Sequence, residues 1–263
     1  MILNAIVDYL KDHQQLVKLL FTIILMVLFF ISIFILKKKE EKKQLTRKQQ
    51  IIKITTISIF SALSIALYFL KFNLPFLFPG FLEIQFSNVP VLISGFLLGP
   101  VSGVMVVIIR TIIKLPFTST IGVGELADLL IGLAVVLISS YIYHHKKTKK
   151  NAILALIYAS IAWVVVAFLA NLLFLTDFYI QLFFSGRISG VMIGGEYKAG
   201  FLDLLTPLMP WITEQNYMVP YLLLAILPFN ILLSSIVSIL SFIVYKRTSI
   251  LFHKYCDINQ ENN

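Results

Sequence analysis

The stretch LEIQFSNVPVLISGFLLGPVSGVMVVIIRTIIKLPFTSTIGVGELADLLIG, residues 82–132, decides the fold of this chain. Two apolar runs in it meet at Gly99-Pro100, and a third run begins after a short polar turn. The ionisable side chains Arg110, Lys114 and Glu125 stand within or beside these runs. Charged groups at membrane depth are costly, so they commonly mark a substrate path or a partner contact.

The composition indicates that the chain lies in a lipid bilayer. The chain has 263 residues, is 59% hydrophobic and has a mean hydropathy of +0.90. Several apolar runs approach the roughly 20 residues that a helix needs to cross hydrocarbon. The runs are continuous rather than alternating, which favours helices over a barrel. One soluble core does not account for them, because they are too many and too long.

We predict an all-α polytopic membrane protein with a six-helix core and one extra N-terminal transmembrane helix. Residues 19–36 form that extra helix rather than a signal peptide, because the run is long and three lysines follow it directly. Residues 1–50 comprise this helix and a basic linker, residues 51–250 the core and residues 251–263 a tail. The predicted core spans are 54–70, 88–98, 101–114, 124–143, 152–175 and 221–245.

Orientation follows from the placement of Lys and Arg, which concentrate on the cytoplasmic side. Basic clusters occur in segments 37–53, 146–150 and 246–254, and alternating the spans places all three on one side. The N-terminus and the loops 71–87 and 176–220 are then outside, and the C-terminus is cytoplasmic. This arrangement accounts for the net charge of +9 without a nucleic-acid partner.

The motifs of common enzymes are absent from the sequence. It contains no P-loop, no His-Glu-x-x-His and no Gly-x-Ser-x-Gly. His144 and His145 are adjacent, so they point apart on a helix and make a poor metal site. The single Cys256 excludes a cysteine metal cluster and an internal disulfide. We therefore predict no enzyme activity, no metal and no cofactor.

Two cations lie inside one predicted span. Arg110 and Lys114 are four residues apart and share a helix face. We expect Lys114 to snorkel toward the external turn. Arg110 is deeper, and Glu125 is its nearest candidate partner along the sequence. A structural ion pair is the favoured interpretation for both.

Two amides mark a candidate pocket. Asn171 and Asn230 fall in the outer half of the membrane under this topology, and a buried amide must be hydrogen-bonded. The partner is either a neighbouring helix or a ligand, and the sequence leaves both open. Pro228 frees a backbone carbonyl beside Asn230.

Aromatic and small residues supply two further candidates. Loop 71–87 is rich in Phe, including Phe81 and Phe86, and Tyr68 precedes it. These side chains either anchor the loop at the interface or stack on a flat ligand. Ala62-x-x-x-Ala66 permits close helix approach, either inside this chain or with a partner. The long loop 176–220 ends in an apolar portion that can lie on the membrane or cap the outer mouth.

Several of these segments resemble one family, the riboflavin-specific S components of energy-coupling factor (ECF) transporters. The resemblance covers about residues 51–250, without most of loop 176–220. Its motifs are Ser87-Asn88-Val89-Pro90, Gly99-Pro100-Val101-Ser102-Gly103, Arg110, Gly124-Glu125-Leu126-Ala127-Asp128, Pro228-Phe229-Asn230, Ile236-Val237-Ser238 and Tyr245-Lys246-Arg247.

The resemblance implies a subunit of a bacterial plasma membrane importer that captures a vitamin from outside. A transmembrane T component and two ATP-binding-cassette ATPases would complete the importer, and Ala62 and Ala66 would contact the T component. Asn171 and Asn230 would bind the mixed polar edge of riboflavin, which is transported cargo. Leu233 stands where the family commonly has Lys and would form an apolar wall of the site.

Two other interpretations remain open at this point. An S component for another vitamin, such as folate, fits the same architecture. A membrane enzyme or scaffold protein fits the composition but predicts neither vitamin binding nor associated ATPases.

Overall fold

The computed structural model describes residues 46–74, 77–78, 82–118, 122–176, 178, 205–207, 209–213 and 216–255, with side chains as far as residue 247. The predicted N-terminal helix lies outside these residues. The helices are α1 (Arg47–Phe69), α2 (Asn88–Leu98), α3 (Pro100–Lys114), α4 (Val123–His145), α5 (Lys149–Ala170), α6 (Met218–Tyr221) and α7 (Leu227–Tyr255).

Shorter elements extend or join these helices. A 3-10 turn, Leu115–Phe117, follows α3. A π-helical segment, Asn171–Leu175, continues α5, and a second, Leu222–Ile226, joins α6 to α7. Two short strands, β1 (Phe72–Asn73) and β2 (Glu83–Ile84), pair with each other.

The predicted helical membrane core is confirmed. Five helical spans in the described part of the chain are long and apolar enough to cross a membrane, and α2 is a sixth, shorter apolar helix. The five are Arg47–Phe69, Pro100–Phe117, Val123–His145, Lys149–Leu175 and Met218–Arg247.

The first core span begins earlier than the predicted residue 54, because a capping box fixes its start. The Gln49 backbone N–H donates to the Thr46 hydroxyl at 3.3 Å, and the Thr46 N–H donates to the Gln49 side-chain oxygen at 3.0 Å. Such reciprocal bonds satisfy two N–H groups that a helix start otherwise leaves unpaired. Hydropathy alone does not detect this polar first turn.

The predicted break at Gly99-Pro100 is confirmed. Gly99 has φ +96°, a left-handed value that favours glycine, and Pro100 is the first residue of α3. Just beyond the break the two helices approach closely. A Cβ added to Gly103 would lie 3.1 Å from the Gly95 Cα and would collide with the Val136 side chain of α4. Small residues therefore allow α2, α3 and α4 to pack together.

The chain divides into two compact units. Of the described residues, the larger unit comprises 46–72, 84–118, 122–166 and 231–255, and so contains α1 to α4 with most of α5 and α7. The smaller unit comprises the described residues within 73–83 and 167–230, and so includes both π segments and α6.

The core of the smaller unit includes part of the predicted long loop. Leu205, Met209 and Ile212 are buried in one hydrophobic cluster with residues of α6 and of the π segment Leu222–Ile226. These three residues of loop 176–220 thus pack against α6 and the π segment of their own unit.

Candidate functional site

Both candidate amides lie in the smaller unit. Asn171 is the first residue of one π segment, and Asn230 follows the other by four residues. Their exposed fractions are only 8% and 7%. Each amide Nδ2 donates to the carbonyl four residues earlier, Asn171 to Ala167 at 2.9 Å and Asn230 to Ile226 at 2.8 Å. An amide has two donor hydrogens and an acceptor oxygen, so this bond uses only part of the capacity of Asn171.

The two π segments contact each other. The contact brings together the helix that carries Asn171 and the segment that leads to Asn230. Widened helical turns of this kind are rare in proteins, and those that occur are often found at functional sites. Both amides were predicted from the sequence, but the π segments were not. Pro228 is a sequence signal for the second segment, Leu222–Ile226.

An aromatic pair includes Phe229, the residue directly before Asn230. Phe78, from the loop after β1, is buried and meets the Phe229 ring edge to face, with centroids 5.2 Å apart. Both residues belong to the smaller unit. Phe78 belongs to the Phe-rich loop 71–87 noted in the sequence, although Phe81 and Phe86 were the residues of that loop predicted to contact the ligand.

The remaining predicted contacts are distributed elsewhere. Phe81 lies outside the described residues. Phe86 is half-buried in the larger unit, with its ring 6.3 Å from that of Phe72. Leu233 is buried on α7, one turn beyond Asn230. Their contact with a vitamin stays a prediction.

Ala62 and Ala66 lie on an exposed face of α1. The buried face of the same helix carries Ile57, Phe60, Ser61, Ser64 and Tyr68. The small-residue pair is therefore not used for internal packing in the described part of the chain. It remains available to lipid or to another protein.

The intramembrane cations meet a different carboxylate from the one expected. The guanidinium of Arg110 lies 3.3 Å from the Asp128 carboxylate, not against Glu125, and the ammonium of Lys114 donates to the same carboxylate at 2.5 Å. Lys114 is buried, so the prediction that it snorkels outward was wrong. Asp128, one turn after Glu125 on α4, provides a counter-charge inside the protein that makes snorkelling unnecessary.

The start of α2 completes the shell around Arg110. Its Nη1 donates to the Ser87 hydroxyl at 3.0 Å and to the Asn88 side-chain oxygen at 2.8 Å. The Ser64 hydroxyl of α1 donates to the Ser87 carbonyl at 2.5 Å. These bonds connect α1, α2, α3 and α4 within the larger unit.

Glu125 has its own partners beside this cluster. It accepts from the Thr118 hydroxyl at 2.5 Å and from the Tyr68 hydroxyl at 3.4 Å. The Lys114 ammonium lies 3.8 Å from the centre of the Tyr68 ring, within the range of a cation–π contact. Tyr68 therefore takes part in the ionic cluster, and its contact with a ligand stays a prediction.

The comparisons with known proteins agree with this architecture. Residues 52–246 match the sequence model of the family described as "ECF transporter, substrate-specific component". The chain belongs to this family.

Relatives of this ECF substrate-specific component include two curated transporters. The riboflavin transporter RibU of Staphylococcus aureus is 30% identical over 199 residues, which are 76% of this chain and 91% of RibU. The riboflavin transporter FmnP of Bacillus subtilis is 22% identical over 182 residues, which are 62% of this chain and 95% of FmnP.

A solved structure is also similar. It is described as the S component of a bacterial ECF transporter, and it aligns with a TM-score of 0.54 at 28% identity. The alignment covers 77% of this chain and 98% of the other. The fold predicted from the sequence is thereby confirmed as that of an ECF S component.

We predict that Asp128→Ala lowers the thermal unfolding midpoint of the detergent-purified protein strongly. Removing one partner of a buried ion pair costs about 3–5 kcal/mol, because it leaves a buried charge without compensation. Here Arg110 and Lys114 would face each other without their shared carboxylate. Glu125→Gln is the matched control on the same helix, since its amide oxygen can accept from one of the Tyr68 and Thr118 hydroxyls and its NH2 can donate to the other. Equal midpoints for Asp128→Ala and wild type would show that the cluster does not support the fold.

Proposed function

We propose that this chain captures riboflavin from outside the cell for an ECF importer in a bacterial plasma membrane. A transmembrane T component and two ATP-binding-cassette ATPases would complete the importer and release the vitamin inside. The chain itself would bind and deliver its cargo without catalysing a reaction.

One observation supports the binding role above the others. Two buried amides, Asn171 and Asn230, lie at or next to packed π segments in one compact unit. Ligand sites combine apolar walls with a few convergent polar groups, and two buried amides in one compact unit fit that pattern. The curated relatives named riboflavin transporters support riboflavin as the cargo.

The chemistry of an amide suits a flavin. It donates and accepts without carrying charge, which matches the mixed donor and acceptor edge of the isoalloxazine ring. Aromatic side chains such as Phe78 and Phe229 lie beside Asn230 and offer apolar surface for the ring system.

Asn230→Leu should weaken riboflavin binding by about tenfold or more. Losing a hydrogen bond while its partner stays buried costs about 1–3 kcal/mol, and 1.4 kcal/mol corresponds to a factor of ten. Quenching of flavin fluorescence by the purified protein measures the affinity. Asn151→Leu, an amide at the start of α5, is the matched control.

Two results would decide against this assignment. Equal affinities of Asn230→Leu and wild type would remove Asn230 from the site. Wild type that fails to quench riboflavin but binds folate or another vitamin would change the proposed cargo.

The exposed small-residue face of α1 fits a helix–helix contact with the T component. Ala62 and Ala66 have no bulk to hold a partner helix away, and their exposure leaves the face open. The chain has no nucleotide-binding motif, so transport depends on partners that supply energy.

The double variant Ala62→Trp, Ala66→Trp should abolish riboflavin uptake by cells and leave riboflavin binding by the purified subunit unchanged. The indole groups would separate the two helices, and they would stand on the exposed face of α1, away from its buried side chains. Ile161→Trp, at an exposed position of α5, controls for bulk on the membrane surface. Normal uptake by the double variant would exclude this face as the coupling contact.

Orientation is the remaining part of the proposal. We expect Thr213 outside and Lys147 inside, since Lys147 belongs to a basic cluster. Single cysteines at these exposed positions, in a Cys256→Ser background, test the topology with an impermeant maleimide on intact cells. Position 213 should react directly and position 147 only after permeabilisation. The opposite pattern would invert the topology.

A further inference from the structure

Each of the two helices that carry the amides contains one widened turn. The Thr176 N–H donates to the Asn171 carbonyl, and the Leu227 N–H donates to the Leu222 carbonyl, so each bond spans five residues. An ordinary α-helical bond spans four. A five-residue turn holds one residue more than its neighbours do, which changes the direction of every side chain that follows.

The burial pattern around Leu222–Ile226 shows what this extra residue does. Tyr221 and Leu222 are buried, and Phe229 and Asn230 are buried eight residues later. In a continuous α-helix, eight residues at about 100° each turn the second pair about 80° away from the first. The widened turn accommodates one residue without its usual rotation of about 100°. The two pairs therefore differ by only about 20° in their angular position about the helix axis.

The same arithmetic applies to the end of α5. Ala170 and Asn171 are buried, and Leu175 and Thr176 are buried five residues later. A continuous α-helix would separate these pairs by about 140°, and one extra residue in the turn reduces the difference to about 40°. Both widened turns therefore keep the amides on the buried faces of their helices.

The sequence supplies a cause for the second π segment. Pro228 has no backbone N–H, and its ring would clash with the carbonyl of Leu224 in a regular helix. Membrane helices accommodate such prolines by local π adjustments. The widened turn ends directly before Leu227, so it lies where this adjustment is needed.

We propose that the π segment Leu222–Ile226 is a positioning element for the vitamin site. Its extra residue turns Asn230 onto the same interior face as Tyr221 and Leu222. The segment acts through Asn230 and does not itself touch the cargo. This inference rests on the proposed riboflavin-binding function.

Changing the length of the segment by one residue tests the proposal. Leu224 is 50% exposed, so its deletion removes little packing. The deletion is combined with Pro228→Ala, so that no proline ring opposes a regular helix. Seven residues of plain α-helix would then leave the buried pairs about 20° apart, and riboflavin affinity should stay within about threefold of wild type. Inserting Ala after Leu224 should turn Asn230 by about 100°, which leaves the buried pairs about 80° apart, and should weaken binding by about tenfold or more. Leu224→Ala, which changes no spacing, is the control.

A second readout does not require any ligand. Nitroxide labels on Ile231→Cys and Leu232→Cys, in a Cys256→Ser background, report exposure to lipid through collisions with oxygen. Both positions are exposed beside the buried Asn230. Both labels should remain accessible in the deletion variant, and at least one should lose accessibility in the insertion variant.

The two readouts separate the possible failures. Wild-type affinity in the insertion variant would overturn the positioning role. Loss of binding in the deletion variant, with both labels still exposed, would also overturn it and would indicate that the widened turn contacts the cargo directly. If wild type binds no riboflavin, the proposed cargo is wrong, and the labels alone decide whether the turn sets the direction of position 230.

Discussion

A polar group inside a membrane span cannot exchange its partner for water, and the architecture of this chain depends on that constraint. Arg110 and Lys114 meet it by sharing the carboxylate of Asp128. Four helices contribute to the surrounding bonds, so the cluster fixes their relative positions within the larger unit. Removing one partner of a buried ion pair destabilises a protein more than replacing the whole pair with apolar side chains does.

The same constraint acts on the amides of the smaller unit in a different way. Asn171 and Asn230 bond to carbonyls of their own helices, which requires no second helix. Such a bond satisfies one amide hydrogen without a charge and without a second helix. The charges thus connect the helices of the larger unit, whereas the neutral amides suit the binding site that we propose in the smaller unit.

Much of the helical architecture was predictable from the sequence. Long apolar runs predicted the helices, Gly99-Pro100 predicted the break between α2 and α3, and the motifs around Ser87 and Asn230 predicted the family. The ionic partners were not readable in the same way. Glu125 is nearer to Arg110 along the sequence, but Asp128 lies one turn farther along α4 and within reach. Sequence distance is a poor guide once two helices pack side by side, although the spacing of two cations and two carboxylates on adjacent spans was a signal for the cluster.

The sequence by itself determined the membrane environment and the helical class, because these depend on composition and local spacing. Tertiary structure decided which face each residue occupies. The exposure of Ala62 and Ala66, the pairing of Phe78 with Phe229, and the direction of Asn230 all depend on how helices pack and where their turns widen. A single five-residue turn redirects every side chain beyond it by about 100°, and hydropathy does not record such a change.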